Sequence, residues 1–84
     1  MYMTAEISMY PVREEYLPPI DAFIESLNSV DGLIVETTTT CTILRGEYEL
    51  IMTLLNDAIA ESYRRFGISV FVTKFIPGYD PQAQ

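Results

Sequence analysis

The chain reads as an α+β domain of the ferredoxin-like type, a βαββαβ sandwich with a four-stranded antiparallel sheet and two helices on one face. Three observations predict it. Both ends of the chain alternate apolar and polar residues with the period of a strand. Two internal stretches repeat apolar residues with the period of a helix. Between them lies a run of β-branched residues too long for one strand. Eighty-four residues, 49% of them apolar, suffice for one core and not for two, so residues 1–78 form a single domain and 79–84 a loose tail.

From Thr4 to Tyr10 the alternation is strict, with Ala5, Ile7 and Met9 on one side and Thr4, Glu6, Ser8 and Tyr10 on the other, which describes a half-covered strand. Pro11 has no amide proton and ends it. Pro18 and Pro19 suit a first helical turn, and Ile20, Phe23, Ile24, Leu27 and Val30 make one apolar stripe that Asp31-Gly32 closes. Leu33 to Leu44 then gives two short antiparallel strands joined near Thr38-Thr39, with Val35, Cys41 and Ile43 expected to point at the helices. Gly46 and Glu47 open a second helix with the face Leu50, Ile51, Leu54, Leu55, Ala58, Ile59, Tyr63 and Phe66. Its dipole is complemented by Glu47 and Glu49 at one end and Arg64 and Arg65 at the other, and Gly67 stops it. The last strand runs from Ile68 to Ile76, with Pro77-Gly78 after it.

In this topology the first and third strands are central. On the register above, the uncovered face presents Glu6, Ser8, Tyr10, Glu36, Thr38, Thr40, Thr42, Leu44, Phe71, Thr73 and Phe75. Such a surface is too apolar to be only wet, so it should pack on another subunit or hold a ligand.

Composition removes several functions. There is no histidine and one cysteine, Cys41, so no intrachain disulfide, no ordinary zinc set and no triad base can be assembled. Self-association is left as the stabiliser expected of so small a core. Twelve acids against five bases, a net charge of −7, repel nucleic acid and anionic membranes and draw in a small cation. No apolar run approaches the roughly 20 residues of a membrane span, and the N-terminus lacks the pattern of a signal peptide, so the chain reads as cytoplasmic with no membrane insertion.

One fold hosts many activities, so each is tested on local chemistry. A metallochaperone needs two thiolates after the first strand, and Pro11 to Leu17 has none. An acylphosphatase-like enzyme needs an arginine beside a glycine-built phosphate cradle; Arg13 is present, but its loop has no glycine. An RNA-recognition domain needs aromatics in a basic surround, whereas Tyr10 sits among acids and the third strand carries threonines. Small-molecule binding or regulatory modules, which need only a subunit interface and a polar cleft, survive.

Three segments carry a resemblance that covers nearly the whole chain. They are Ala5-Glu6-Ile7-Ser8-Met9-Tyr10-Pro11 at the start, Thr42-Ile43-Leu44-Arg45-Gly46-Glu47 leading into the second helix, and Phe71-Val72-Thr73-Lys74-Phe75-Ile76-Pro77 at the end. In order and spacing they resemble the YkoF-like thiamine-binding proteins. The resemblance implies a cytoplasmic, non-enzymatic protein that binds thiamine or its hydroxymethylpyrimidine part, linked to thiamine salvage or uptake. It also implies a ferredoxin-like domain assembled as a homodimer or homotetramer, with no cofactor beyond the bound ligand. Thr37-Thr38-Thr39-Thr40 stands where that family more usually has a glycine-containing turn.

Thiamine presents a flat aminopyrimidine and a cationic thiazolium, so its site should offer an aromatic face, hydroxyl partners and negative potential. The candidates are Tyr10 for stacking, Ser8, Thr38 and Thr40 for the ring nitrogens and amine, and Glu6 or Glu36 for charge. Each has a plainer reading as well. Glu6 can be a solvated carboxylate, Tyr10 an edge of the core or an interface residue, and the threonines ordinary strand residues. Cys41 reads as a small buried apolar residue, and Phe71 and Phe75 as a subunit interface.

Overall fold

A computed structural model describes residues 1–80. The elements are β1 (Tyr2–Pro11), α1 (Leu17–Asn28), β2 (Ile34–Thr37), β3 (Thr42–Glu47), α2 (Tyr48–Phe66) and β4 (Ser69–Pro77). They form an antiparallel sheet in the order β2-β3-β1-β4, so the first and third strands are central, as the sequence predicts. The fold is ferredoxin-like. No helix among the described residues is long and apolar enough to cross a membrane.

Each helix follows from local signals. α1 starts at Leu17 with the two prolines in its first turn and buries Pro19, Phe23 and Leu27. α2 has Glu49 in its first turn and Arg64 and Arg65 in its last, and ends at Gly67, whose φ of 85° a side chain would oppose. It buries Ile51, Leu54, Leu55 and Ala58 against Met3, Ala5, Ile7 and Leu44 of the sheet. Ile59 and Tyr63, expected on its buried face, are exposed. The apolar stripe of α2 is wider than the sheet edge it covers, and its outer margin overhangs β4.

Two register expectations are corrected. In β3 the residues facing the helices are Thr42 and Leu44, not Cys41 and Ile43. Leu44 lies directly opposite Ala5 on one side and Val35 on the other, and opposed residues in an antiparallel ladder share a face. In β4, Phe71, Thr73 and Phe75 are opposite Met9, Ile7 and Ala5, so they belong to the helix side and not to the open face. Phe71 packs on Phe23 with ring centroids 5.1 Å apart. The open face instead carries Val70, Val72, Lys74 and Ile76 from this strand. Packing Phe71 on the core removes more apolar surface from water than packing a valine there would, which favours this side, while Phe75 stays 44% exposed at the margin.

Gly46 is the position where close approach favours glycine, since a side chain there would have to push Leu33 aside. A Cβ there would collide with the Leu33 side chain and crowd the Gly32 carbonyl at 3.2 Å. Gly46→Ala is expected to cost about 1–3 kcal/mol in urea unfolding, as overpacking of a filled site does.

The expected tail begins at Tyr79, whose carbonyl accepts a hydrogen bond from Thr4 Oγ1 at 2.9 Å. Residues 81–84 of it lie outside the described residues.

Candidate functional site

A cavity of about 110 Å³ opens between α1 and the segment Thr37–Thr42, on the helix side of the sheet. Its apolar wall is Ile7 and Met9 of β1 with Ile20, Phe23 and Ile24 of α1, and its polar wall is Thr37 to Thr42 with Cys41 among them. An apolar cavity of about 150 Å³ takes one benzene ring. The space is smaller than that but open at its mouth, so it admits a single ring inserted part-way, with its substituents emerging.

The threonine segment is held in place by its own hydrogen bonds. Thr38 Oγ1 accepts from the Cys41 amide at 3.2 Å and donates to the Cys41 carbonyl at 3.1 Å, while the Thr38 amide donates to the same carbonyl at 2.8 Å. From the far side of the sheet, Ser8 Oγ donates to the Thr40 carbonyl at 3.1 Å. Thr42 is fixed by the ladder opposite Ile7 and is 6% exposed, and its side chain lines the cavity without a hydrogen bond among the described residues. The hydroxyl is open to solvent through the cavity, so a ligand atom that bonded to it would gain the ordinary net of one hydrogen bond, about 1 kcal/mol.

Of the six residues nominated from sequence, the structure brings two to this cavity, Thr38 and Thr40. Thr38 spends its hydroxyl on the turn. Glu6, Ser8, Tyr10 and Glu36 stand on the opposite, open face. Glu6 there lies 3.5 Å from Lys74 of the neighbouring strand, and Glu36 lies 3.3 Å from Arg45. Exposed pairs of this kind are worth at most about 1 kcal/mol, yet each supplies a cation beside the carboxylate that was nominated to receive one. Tyr10 is 55% exposed, and no ring packs on it among the described residues.

Thr42, Phe23 and Met9 were missed as site residues. The signal that could have found Thr42 was its spacing from Leu44: once the larger apolar residue is placed inside, Thr42 follows it to the same face. Among the described residues there is no cluster of three or more His, Cys, Asp or Glu side chains placed to hold a metal ion.

No protein-family profile matches the chain, and no curated protein matches it. Solved structures do. A protein of Streptococcus pneumoniae superposes with a TM-score of 0.86 at 20% identity, covering 94% of this chain and 89% of that one. A protein of Thermotoga maritima, provisionally assigned to thiamine biosynthesis or salvage, superposes with a TM-score of 0.82 at 23% identity, covering 98% of this chain and 87% of that one. A domain of unknown function from Bacillus cereus gives 0.76 at 18% identity, covering 96% and 78%. The chain shares the fold of these proteins. At such identities the likeness extends to the architecture alone.

Proposed function

We propose that the protein is a non-enzymatic, cytoplasmic small-molecule binding protein for thiamine or its hydroxymethylpyrimidine part, serving thiamine salvage or uptake as an oligomer. The observation that carries this reading is the single-ring cavity lined by apolar side chains and threonines, with the Thr42 hydroxyl lacking a partner inside it. The residues lining that cavity include no charged side chain, so the neutral pyrimidine is the part that enters. Its ring packs against Phe23 and Met9, and its amine and ring nitrogens meet threonine hydroxyls. The cationic thiazolium stays at the mouth, where a chain of net charge −7 favours it. The resemblance of the three sequence segments and the fold shared with the Thermotoga maritima protein support the same ligand class.

Calorimetric titration tests it. Hydroxymethylpyrimidine and thiamine should both release heat, and thiamine phosphate should bind no more tightly than thiamine, because the cavity wall offers no cation for the phosphate. No heat with any of the three would overturn the proposal and leave a regulatory or scaffold module of the same fold. Turnover of an acyl phosphate would overturn the non-enzymatic part.

A further inference from the structure

We infer that the β4 edge of the sheet is the docking surface for a second copy of this chain, paired antiparallel about a two-fold axis at Thr73. The inference does not depend on the ligand.

β4 is an edge strand of nine residues, Ser69–Pro77, paired with β1 on one side only. Which of its backbone groups are spoken for can be read from the two ends of the ladder. The Val12 amide donates to the Ile68 carbonyl at 3.0 Å, and the Gly78 amide donates to the Tyr2 carbonyl. Hydrogen-bonded pairs alternate along an antiparallel ladder, so Val70, Val72, Lys74 and Ile76 bond to β1. Ser69, Phe71, Thr73 and Phe75 therefore turn their N–H and C=O groups outward. Pro11 and Pro77 both fall at the non-bonded positions, as residues without an amide proton must.

Edges of this length are usually blunted by a bulge, by unpaired charges such as lysines, or by a central proline. The β1–β4 register runs without a bulge, the one charged residue of β4 is Lys74, which stands on the open face beside Glu6, and its proline is the last residue. The neighbouring groove is apolar as well. Met52, Ile59 and Phe75, each more than a third exposed, line a depression between α2 and β4.

Charge selects the partner. The chain carries 12 acidic residues, yet β4 holds none, and neither do the α2 positions beside it, Met52, Thr53, Leu55, Asn56 and Ile59. Two copies of a −7 chain repel each other over most of their surface, and this acid-free strip is where a second copy meets the least repulsion. The other edge, β2, is four residues long and contains Glu36. Pairing about Thr73, the midpoint of β4, uses the whole strand and sets Phe71 across from Phe75, and Val70 across from Ile76, of the second copy. All four are favourable strand partners. Lys74 meets a valine of the second copy on this axis or on one shifted to Val72, but the shift would break the aromatic pair, opposing Phe71 to Thr73 and Phe75 to Ser69.

Cross-linking and sedimentation test it. In an antiparallel hydrogen-bonded pair the Cα atoms are about 5.5 Å apart, inside the roughly 4.4–6.8 Å range that a disulfide spans. With Cys41→Ser to remove the native thiol, Thr73→Cys should oxidise to a covalent dimer and Val70→Cys should not. The unaltered chain should sediment as a dimer or a multiple of one at micromolar concentration. Thr73→Pro removes an outward amide without touching the β1 ladder, and should weaken association at least about tenfold. Ile43→Lys, on the open face away from the edge, should leave it unchanged. A monomeric parent, or Thr73→Cys that fails to cross-link, would overturn the inference. So would an assembly dissolved by Ile43→Lys but not by Thr73→Pro, which would mark the open face as the interface. Should Thr73→Pro fail to fold, the two cysteine variants decide.

Discussion

Leu44→Ala is expected to cost about 3–5 kcal/mol, while Ile43→Ala, one residue away, costs less than about 1 kcal/mol. Leu44 is fully buried, touching the core between Ala5 of β1 and Val35 of β2, and truncating it loses the transfer energy of its methyl groups and leaves a cavity. A domain of 84 residues has roughly 4–13 kcal/mol of stability in all, so the alanine variant sits near the threshold of folding. Urea unfolding of both variants reads the difference directly, with an unchanged denaturant slope as the check that the unfolded state is the same. The reverse order of the two costs would mean that β3 is slipped by one residue. Thr42 would then leave the cavity wall.

Thr42→Val should weaken pyrimidine or thiamine binding about 2- to 10-fold while leaving stability unchanged. Valine keeps the shape of threonine and removes only the hydroxyl, which faces the cavity and has no hydrogen-bond partner among the described residues. In the free protein that hydroxyl is open to solvent, and with an aminopyrimidine in place it becomes a specific contact. A loss of affinity at unchanged stability separates a recognition residue from a packing residue, for which both would fall together. Glu6→Gln is the companion measurement. Glu6 lies across the sheet from the cavity with Lys74 at 3.5 Å, so its removal should leave the calorimetric affinity unchanged at low salt. A large loss from Glu6→Gln with none from Thr42→Val would move the ligand to the open face.

The two predictions rest on one geometric point, the side on which each strand residue stands. β1 was legible because its alternation is unambiguous: Ala5, Ile7 and Met9 are the only apolar residues of that stretch flanked by polar ones, and they face the helices. β3 and β4 were not, since each is apolar on both sides. Ile43 competes with Leu44, and Val70 and Val72 compete with Phe71 and Phe75, so periodicity alone cannot choose between the two faces. The pairing with β1 chooses, because a residue opposite Ala5 must share its face. The site followed the same logic. The threonine run was recognised as a polar wall, but the partner it faces is α1, distant in sequence, and not the strand neighbours Ser8 and Tyr10.

By itself the sequence determined the element order, the number of helices and the absence of histidine chemistry, since these depend on residue type and local spacing; it ran the first helix past its end at Asn28 and opened the second on Gly46 and Glu47, which belong to β3. Tertiary structure alone decided which face of β3 and β4 is buried, that the threonine turn closes over Phe23, and that the backbone of β4 is free along its outer edge. Those are properties of pairing between distant segments, and a strand apolar on both sides carries no local mark of which neighbour it will meet.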